Sequence, residues 1–179
     1  MTERKETSST VFSGRVIEVR LDEVRLEDGS PARREVVVHS GSVAVVVFVQ
    51  REILLVRQFR YPVQAELWEI PAGRIESGER PAAAAARELA EEAGLRAGDL
   101  EPLLDVFLTP GYSSERMQIY LARGAAPVPA RPDADERIEA RWFPFAEAVA
   151  MCLDGRIRDV KTVAGLLAVA ASGACDSSR

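Results

Sequence analysis

The chain has 179 residues, the size of one domain, and it is 47% apolar and 28% charged, which supplies one packed core and excludes a disordered polymer. Twenty-eight acidic against twenty-three basic side chains leave a net charge of −5, the wrong sign for a domain that grips a nucleic-acid backbone by its field alone. The longest apolar run is the seven residues 43–49, far short of the ~20 that cross a bilayer, and the polar first ten residues carry no secretory signal, so a cytoplasmic protein without a membrane partner is expected.

From Arg15 onward Ile17, Val19 and Leu21 share one parity while Glu18, Arg20 and Asp22 take the other, which predicts a strand. The parity then passes to Val24 and Leu26, so a bend or bulge is expected near Asp22 and Glu23. Asp28-Gly29 signals a hairpin turn and residues 34–39 a returning strand. Residues 1–39 therefore read as an antiparallel strand segment ahead of a main domain over 40–171. The valine-rich stretch 41–49 predicts a strand covered on both faces, with 53–56 as its hairpin partner. Residues 81–93 make the strongest helix, with proline in the first turn, five consecutive alanines and Gly94 to end it. Arg80 stands where a capping Ser or Thr would serve better. Strands are expected over 103–108, 117–121 and 138–143, an exposed Pro-rich loop over 124–135, helices over 144–153 and 160–171, and a disordered tail over 172–179. Cys152 and Cys175 are too far apart for a CxxC pair and are expected to remain thiols.

Chemistry concentrates on the alanine-rich helix. Glu88, Glu91 and Glu92 stand at i, i+3 and i+4 and share one face. They lie in its last turns, where the dipole disfavours negative charge, and Arg87 can offset one of them while two lack a partner nearby in sequence. Hard oxygen ligands so gathered suit Mg²⁺ or Mn²⁺; the alternative is a surface helix whose glutamates merely face water.

The surrounding residues run Gly73, five residues, Glu79, seven residues, Arg87-Glu88-Leu89, then Glu91-Glu92, Gly94 and Leu95. This stretch resembles the Nudix box at all of its defined positions. The resemblance implies an α/β fold, an α/β/α sandwich with a mixed sheet, to which the N-terminal antiparallel strands are added. It further implies that Glu88 and Glu92 bind metal, that Glu91 is a further ligand or acts through water, and that the carbonyl of Ala72 joins them. Glu79 and Arg87 would then be structural, pairing to hold the loop against the helix. Mg²⁺ is the implied cofactor, with Mn²⁺ as a possible substitute.

Three other segments, 56–62, 69–73 and 109–116, resemble the ADP-ribose pyrophosphatase branch, which carries a proline fifteen positions beyond the box, where Pro110 follows Leu95. That branch implies Mg²⁺-dependent hydrolysis of ADP-ribose to AMP and ribose 5-phosphate. Other nucleotide sugars, ADP-sugars or GDP-mannose among them, and a nucleotide-binding regulator without turnover are the alternatives. Arg60 is a candidate for the diphosphate or ribose, since a guanidinium meets phosphate in bidentate fashion. Arg34 and His39 lie on the strand that the branch uses at the nucleotide end, while Trp68, Trp142 and Phe143 are assigned to packing. The general base is assigned to Glu136, in a setting that resembles the branch's acidic loop, with Glu115 as its rival or as a substrate contact. The branch also implies a homodimer built through the N-terminal strands, whose apolar parity needs cover.

Overall fold

A computed structural model describes residues 2–130 and 137–173, which divide into two compact units, Met1–Gly41 with Phe107–Arg116, and Ser42–Val106 with Met117–Arg179. In the first unit β1 (Arg4–Ser13), β2 (Glu18–Arg25) and β3 (Pro31–Val38) form an antiparallel sheet in the order β1-β2-β3. The strand β1 was not legible as one, because its Ser- and Thr-rich sequence lacks apolar alternation and every residue of it is exposed. Polar ladder contacts hold it instead: Ser8 Oγ donates to Asp22 Oδ1 at 2.5 Å, and Arg25 donates to both oxygens of Glu6 at 3.1 and 2.8 Å. The irregularity expected in β2 lies on β1, where Glu6 is the extra residue between the pairs Lys5–Val24 and Thr7–Glu23. The β2–β3 register runs unbroken through Asp22 and Glu23. Pro31 opens β3 at the sheet edge, where its missing N–H costs no ladder bond.

The second unit is built on β4 (Ser42–Val49), whose residues from Ser42 to Val47 are all buried. It turns through Gln50 and Arg51, both at positive φ as a two-residue hairpin requires, into β5 (Glu52–Arg60). Short strands β6 (Ala65–Glu69) and β7 (Ala72–Arg74) follow on either side of Pro71 and pair with β5 and β4. After α1 (Pro81–Ala93) come β8 (Leu95–Phe107), β9 (Arg116–Pro127), β10 (Glu139–Pro144), α2 (Phe145–Leu153) and α3 (Val160–Ala171). The sheet order is β10-β5-β4-β9-β8; β4 and β9 are parallel while β4, β6 and β10 meet β5 antiparallel, so the sheet is mixed.

Alternation along β4 creates the layers. Val43, Val45 and Val47 pack with Ala84, Ala85 and Leu89 of α1, each valine contributing roughly 1.5–3 kcal/mol by burial. Val46, on the other parity, meets α3: a Cβ added to Gly165 would lie 2.8 Å from Val46 Cγ2 and 3.3 Å from Ile70 Cδ1. Glycine at 165 thus lets the third helix close on the sheet, and β4 is covered on both faces as its continuous valines predict. Two expectations are corrected here. β8 begins directly after the helix instead of at residue 103, and β9 runs through Gly124 to Pro127, where a loop was expected. The pairing of β9 with β4 ends at Arg123, and β9 continues to Pro127 as the neighbour of β8 in the sheet. Of the tail expected after residue 171, Ser172 and Gly173 form a turn; Cys175 lies outside the described residues.

Candidate active site

The loop and helix from Gly73 to Leu95 owe their shape to two close approaches. At Gly94 the backbone is left-handed, φ 61°, and a Cβ would sit 3.0 Å from the carbonyl oxygen of Val128. At Gly73 a Cβ would fall 2.0 Å from the carboxylate carbon of Glu88, so the missing side chain is what lets Glu88 lie against the strand backbone. The small residues Ala84 and Ala85 bring α1 close to β4, and the carboxylates project from its far turns.

Arg87 organises that acidic face. Its Nε and Nη2 donate to the two oxygens of Glu79, both at 3.0 Å, and Nη2 also donates to the Arg74 carbonyl at 3.0 Å. Its Nη1 donates to Glu88 Oε1 at 2.8 Å and Glu91 Oε2 at 2.9 Å. One guanidinium therefore serves three carboxylates, where the sequence reading assigned it Glu79 by resemblance and one glutamate of the helix, because its planar fork offers donors on both edges. The hydrogen bonds from Arg87 hold the Glu79 carboxyl below the usual glutamate range, and those to Glu79, ahead of Glu88 and Glu91, raise the guanidinium itself. Glu92, 7% exposed, accepts the Ala72 N–H at 3.0 Å.

Glu88, Glu91, Glu92 and the Ala72 carbonyl form a set of hard oxygen donors, the chemistry that fits Mg²⁺ or Mn²⁺. Among the described residues no three His, Cys, Asp or Glu side chains are gathered closely enough to grip an ion as they stand. Two of the three carboxylates, Glu88 and Glu91, are paired with Arg87 Nη1 instead. Exchanging that one nitrogen for a cation would leave the bidentate Glu79 pair in place.

Arg60 feels the Glu92 charge, but its hydrogen bonds go to another carboxylate. Its Nε and Nη2 donate to both oxygens of the buried Glu69 at 2.8 and 2.7 Å. Burial alone would raise the Glu69 carboxyl, but the Arg60 hydrogen bonds and the Lys161 charge hold it below the usual range. Lys161, Asp159 and Thr162 complete this group and were not singled out from the sequence. A lysine followed by Thr162, Val163 and Leu166 in an apolar helix, with Asp159 at its N-cap, was the available signal.

The first unit carries Arg34, His39, Pro110 and Glu115. Arg34 donates to both oxygens of Glu3 at 3.0 and 2.5 Å in an exposed pair. The segment following Pro110 is stitched to β3: Val37 N–H donates to the Tyr112 carbonyl at 2.8 Å, and Ser114 N–H to the Val37 carbonyl at 2.9 Å. His39 Nδ1 accepts the Gly41 N–H at 3.1 Å and lies 4.0 Å from Glu115 Oε1. Glu136, the assigned general base, lies outside the described residues, as does Asp135 beside it.

Comparison with known proteins places this geometry among relatives. The NUDIX domain family matches residues 38–166. An ADP-ribose pyrophosphatase of Mycobacterium tuberculosis is 40% identical over 168 residues, covering 91% of this chain and 81% of the relative. A methanol dehydrogenase activator of Bacillus methanolicus is 36% identical over 164 residues, 90% of this chain and 89% of the relative. A GDP-mannose pyrophosphatase of Pectobacterium atrosepticum is more distant, 34% identical over 120 residues and 62% of each chain. Among solved structures, the crystal structure of an ADP compounds hydrolase superposes with a TM-score of 0.87 over 99% of this chain and 97% of its own, at 23% identity, a likeness of fold.

Proposed function

The chain belongs to the Nudix family, and from that premise we propose that it hydrolyses ADP-ribose to AMP and ribose 5-phosphate with the help of Mg²⁺. The observation that carries the reading is that Glu88 and Glu91 share one guanidinium nitrogen, Glu88 against Gly73, while Glu92 on the same helix accepts the Ala72 N–H. Relatives named for ADP-ribose at 33% and 40% identity support the substrate. Glu88, Glu91, Glu92 and the Ala72 carbonyl would hold the cation, which when bound neutralises the diphosphate and the charge developing on it. The chain's own part is to position and to move a proton. Ala72 N–H fixes one oxygen of Glu92, and the Glu79–Arg87 pair holds the loop on the helix. A glutamate outside the helix, Glu136 with Glu115 as the rival, takes a proton from water as the water oxygen bonds to phosphorus and the P–O bond of the anhydride breaks.

A release assay across ADP-ribose, other ADP- and GDP-sugars, NADH and dinucleoside polyphosphates, each with Mg²⁺ and Mn²⁺, tests the proposal. ADP-ribose should give the highest kcat/KM; a tenfold advantage for GDP-mannose or NADH would reassign the substrate, and binding without turnover would favour a regulator. The N-terminal unit is proposed to mediate a homodimer. Val11 and Phe12 on β1 and Val16 beyond it are exposed large apolar residues beside a free strand edge. Sedimentation should show a dimer that Phe12→Glu weakens; an unchanged dimer would place the interface elsewhere.

A further inference from the structure

Lys161 is 8% exposed in the first turn of α3, where the helix dipole is unfavourable to a cation, and the proposed reaction makes no use of it. Its partners explain how it is tolerated. The Nζ donates to Glu69 Oε2, which also accepts from Arg60, and to Asp159 Oδ1 at 2.9 Å. Asp159 Oδ2 caps the helix, accepting the Thr162 N–H at 3.0 Å and its hydroxyl at 2.5 Å. With its proton committed to Asp159, the Thr162 hydroxyl oxygen accepts the Ile70 N–H at 2.9 Å, an interaction buried from solvent.

Two cations and two anions so arranged are weak evidence for stability, because a hydrophobic replacement of a buried ion group often folds as well or better. What the group does do is hold a particular stretch of chain. Glu69 is held by Arg60 and Lys161, and Ile70 by Thr162. The Pro71 carbonyl accepts from Val45 N–H at 2.9 Å, and Ala72 N–H donates to Glu92 at 3.0 Å. Four consecutive residues are each pinned through a different group, and the proline between Ile70 and Ala72 has a fixed φ, so displacement at Ile70 is passed on to Ala72.

We propose that Lys161 and Thr162 are positioning residues for the cation site: they set the place of the Ala72 carbonyl and of the N–H that orients Glu92. The proposal rests on the reading of Ala72, Glu88, Glu91 and Glu92 as the cation's ligands. Supports behind a metal ligand are typically worth about 10–100-fold in metal affinity or activity. Loss of the Thr162 hydroxyl should act through Ile70, and loss of the Lys161 ammonium through Glu69.

The test is a Mn²⁺ titration of the full chain without nucleotide, followed by electron paramagnetic resonance, for wild type and the variants Thr162→Val, Lys161→Met, Lys161→Arg and Glu92→Gln. Thr162→Val and Lys161→Met should each weaken Mn²⁺ binding by about tenfold or more, Lys161→Arg should recover most of the loss, and the KM for ADP-ribose at saturating metal should change little. If Glu92→Gln weakens Mn²⁺ binding while Thr162→Val and Lys161→Met bind as wild type does, the positioning role is refuted and the cation site stands. If Glu92→Gln itself binds Mn²⁺ normally, the site assignment fails and the proposal with it. Should Lys161→Met not fold, Thr162→Val decides alone, since it keeps the shape of the side chain and every ion pair.

Discussion

Arg87 and Arg60 grip a glutamate in the same way, Nε and Nη2 to the two carboxylate oxygens, yet they belong to different kinds of cluster. Around Arg60 two cations bond directly to Glu69 and Asp159, the Glu92 charge also acts on Arg60, and the Glu69 side chain is 2% exposed. Around Arg87 one cation serves Glu79, Glu88 and Glu91, and the Glu91 side chain is 39% exposed. Identical local geometry thus serves two ends. A buried group whose carboxylates are bonded by two cations has little to gain from a further ion, whereas an acidic excess at a solvent-reaching face favours one.

The sharpest way to break the comparison is to remove one charge from each cluster. Glu92→Gln and Glu88→Gln should lower kcat by more than the roughly 10–100-fold that accompanies loss of a residue supporting a ligand, with little change in Tm. A variant that melts far below wild type but turns over normally would show that the acidic face is structural. In the Arg60 cluster the order reverses. Glu69→Ala removes the anion that Arg60 and Lys161 share, leaving Lys161 only its pair with Asp159, and should cost about 3–5 kcal/mol of stability, read by denaturant unfolding. Unfolding free energy within error of wild type would mean that water enters and screens the group.

Two smaller effects sharpen the functional side. Glu136→Gln should reduce kcat by roughly 10²-fold, about 2.7 kcal/mol, the scale of a lost general base, with KM and metal affinity nearly unchanged. Turnover that survives Glu136→Gln and is lost in Glu115→Gln would move the base to the segment after Pro110. Arg34→Ala should raise KM for ADP-ribose by about tenfold, the worth of one charged hydrogen bond, and leave Tm within the scatter of repeat runs because its pair with Glu3 is exposed. A KM equal to that of wild type would confine Arg34 to the surface pair.

The reason one cluster was legible in the sequence and the other was not is sequence distance. Glu79, Arg87, Glu88 and Glu91 fall within one loop and helix, so helical periodicity groups the helix residues and the box spacing brings in Glu79 from the loop. Arg60, Glu69 and Lys161 come from β5, β6 and α3, and no periodicity links residues 92 positions apart, as Glu69 and Lys161 are. Arg60 accordingly reads from sequence as a candidate diphosphate or ribose contact, with no sign of its pairing to Glu69. The same limit separates elements that were expected from those that were not. The helices over 81–93 and 160–171 match their expected bounds, as strong local propensity with clear ends allows. The exposed strand β1 and the short strands β6 and β7 exist only through their partners, so single-strand patterning could not reveal them.

Acid titration gives the finest probe of the Arg87 cluster. Hydrogen bonds from Arg87, joined by the Glu76 N–H, hold the Glu79 carboxyl below its unfolded value near 4.3. Below that value the unfolded chain takes up a proton at this position before the folded chain does. The stability contributed by the pair is therefore complete above about pH 4.3 and is lost as pH falls through the folded value. The Glu69 carboxyl is shifted in the same direction, so acidification weakens both clusters, and the share belonging to Glu79 has to be isolated by difference. Denaturant unfolding of wild type and Glu79→Gln from pH 7 down to pH 3 does so. The wild type should be the more stable at neutral pH, and its advantage should shrink through the acid range because only the wild type loses the Glu79 contribution. The shrinkage should be modest, since Glu79 lies near solvent and its charge is partly screened. Parallel curves for the two proteins would mean that Arg87 gives Glu79 no net stability, and that the guanidinium is held in place by Glu88, Glu91 and the Arg74 carbonyl instead.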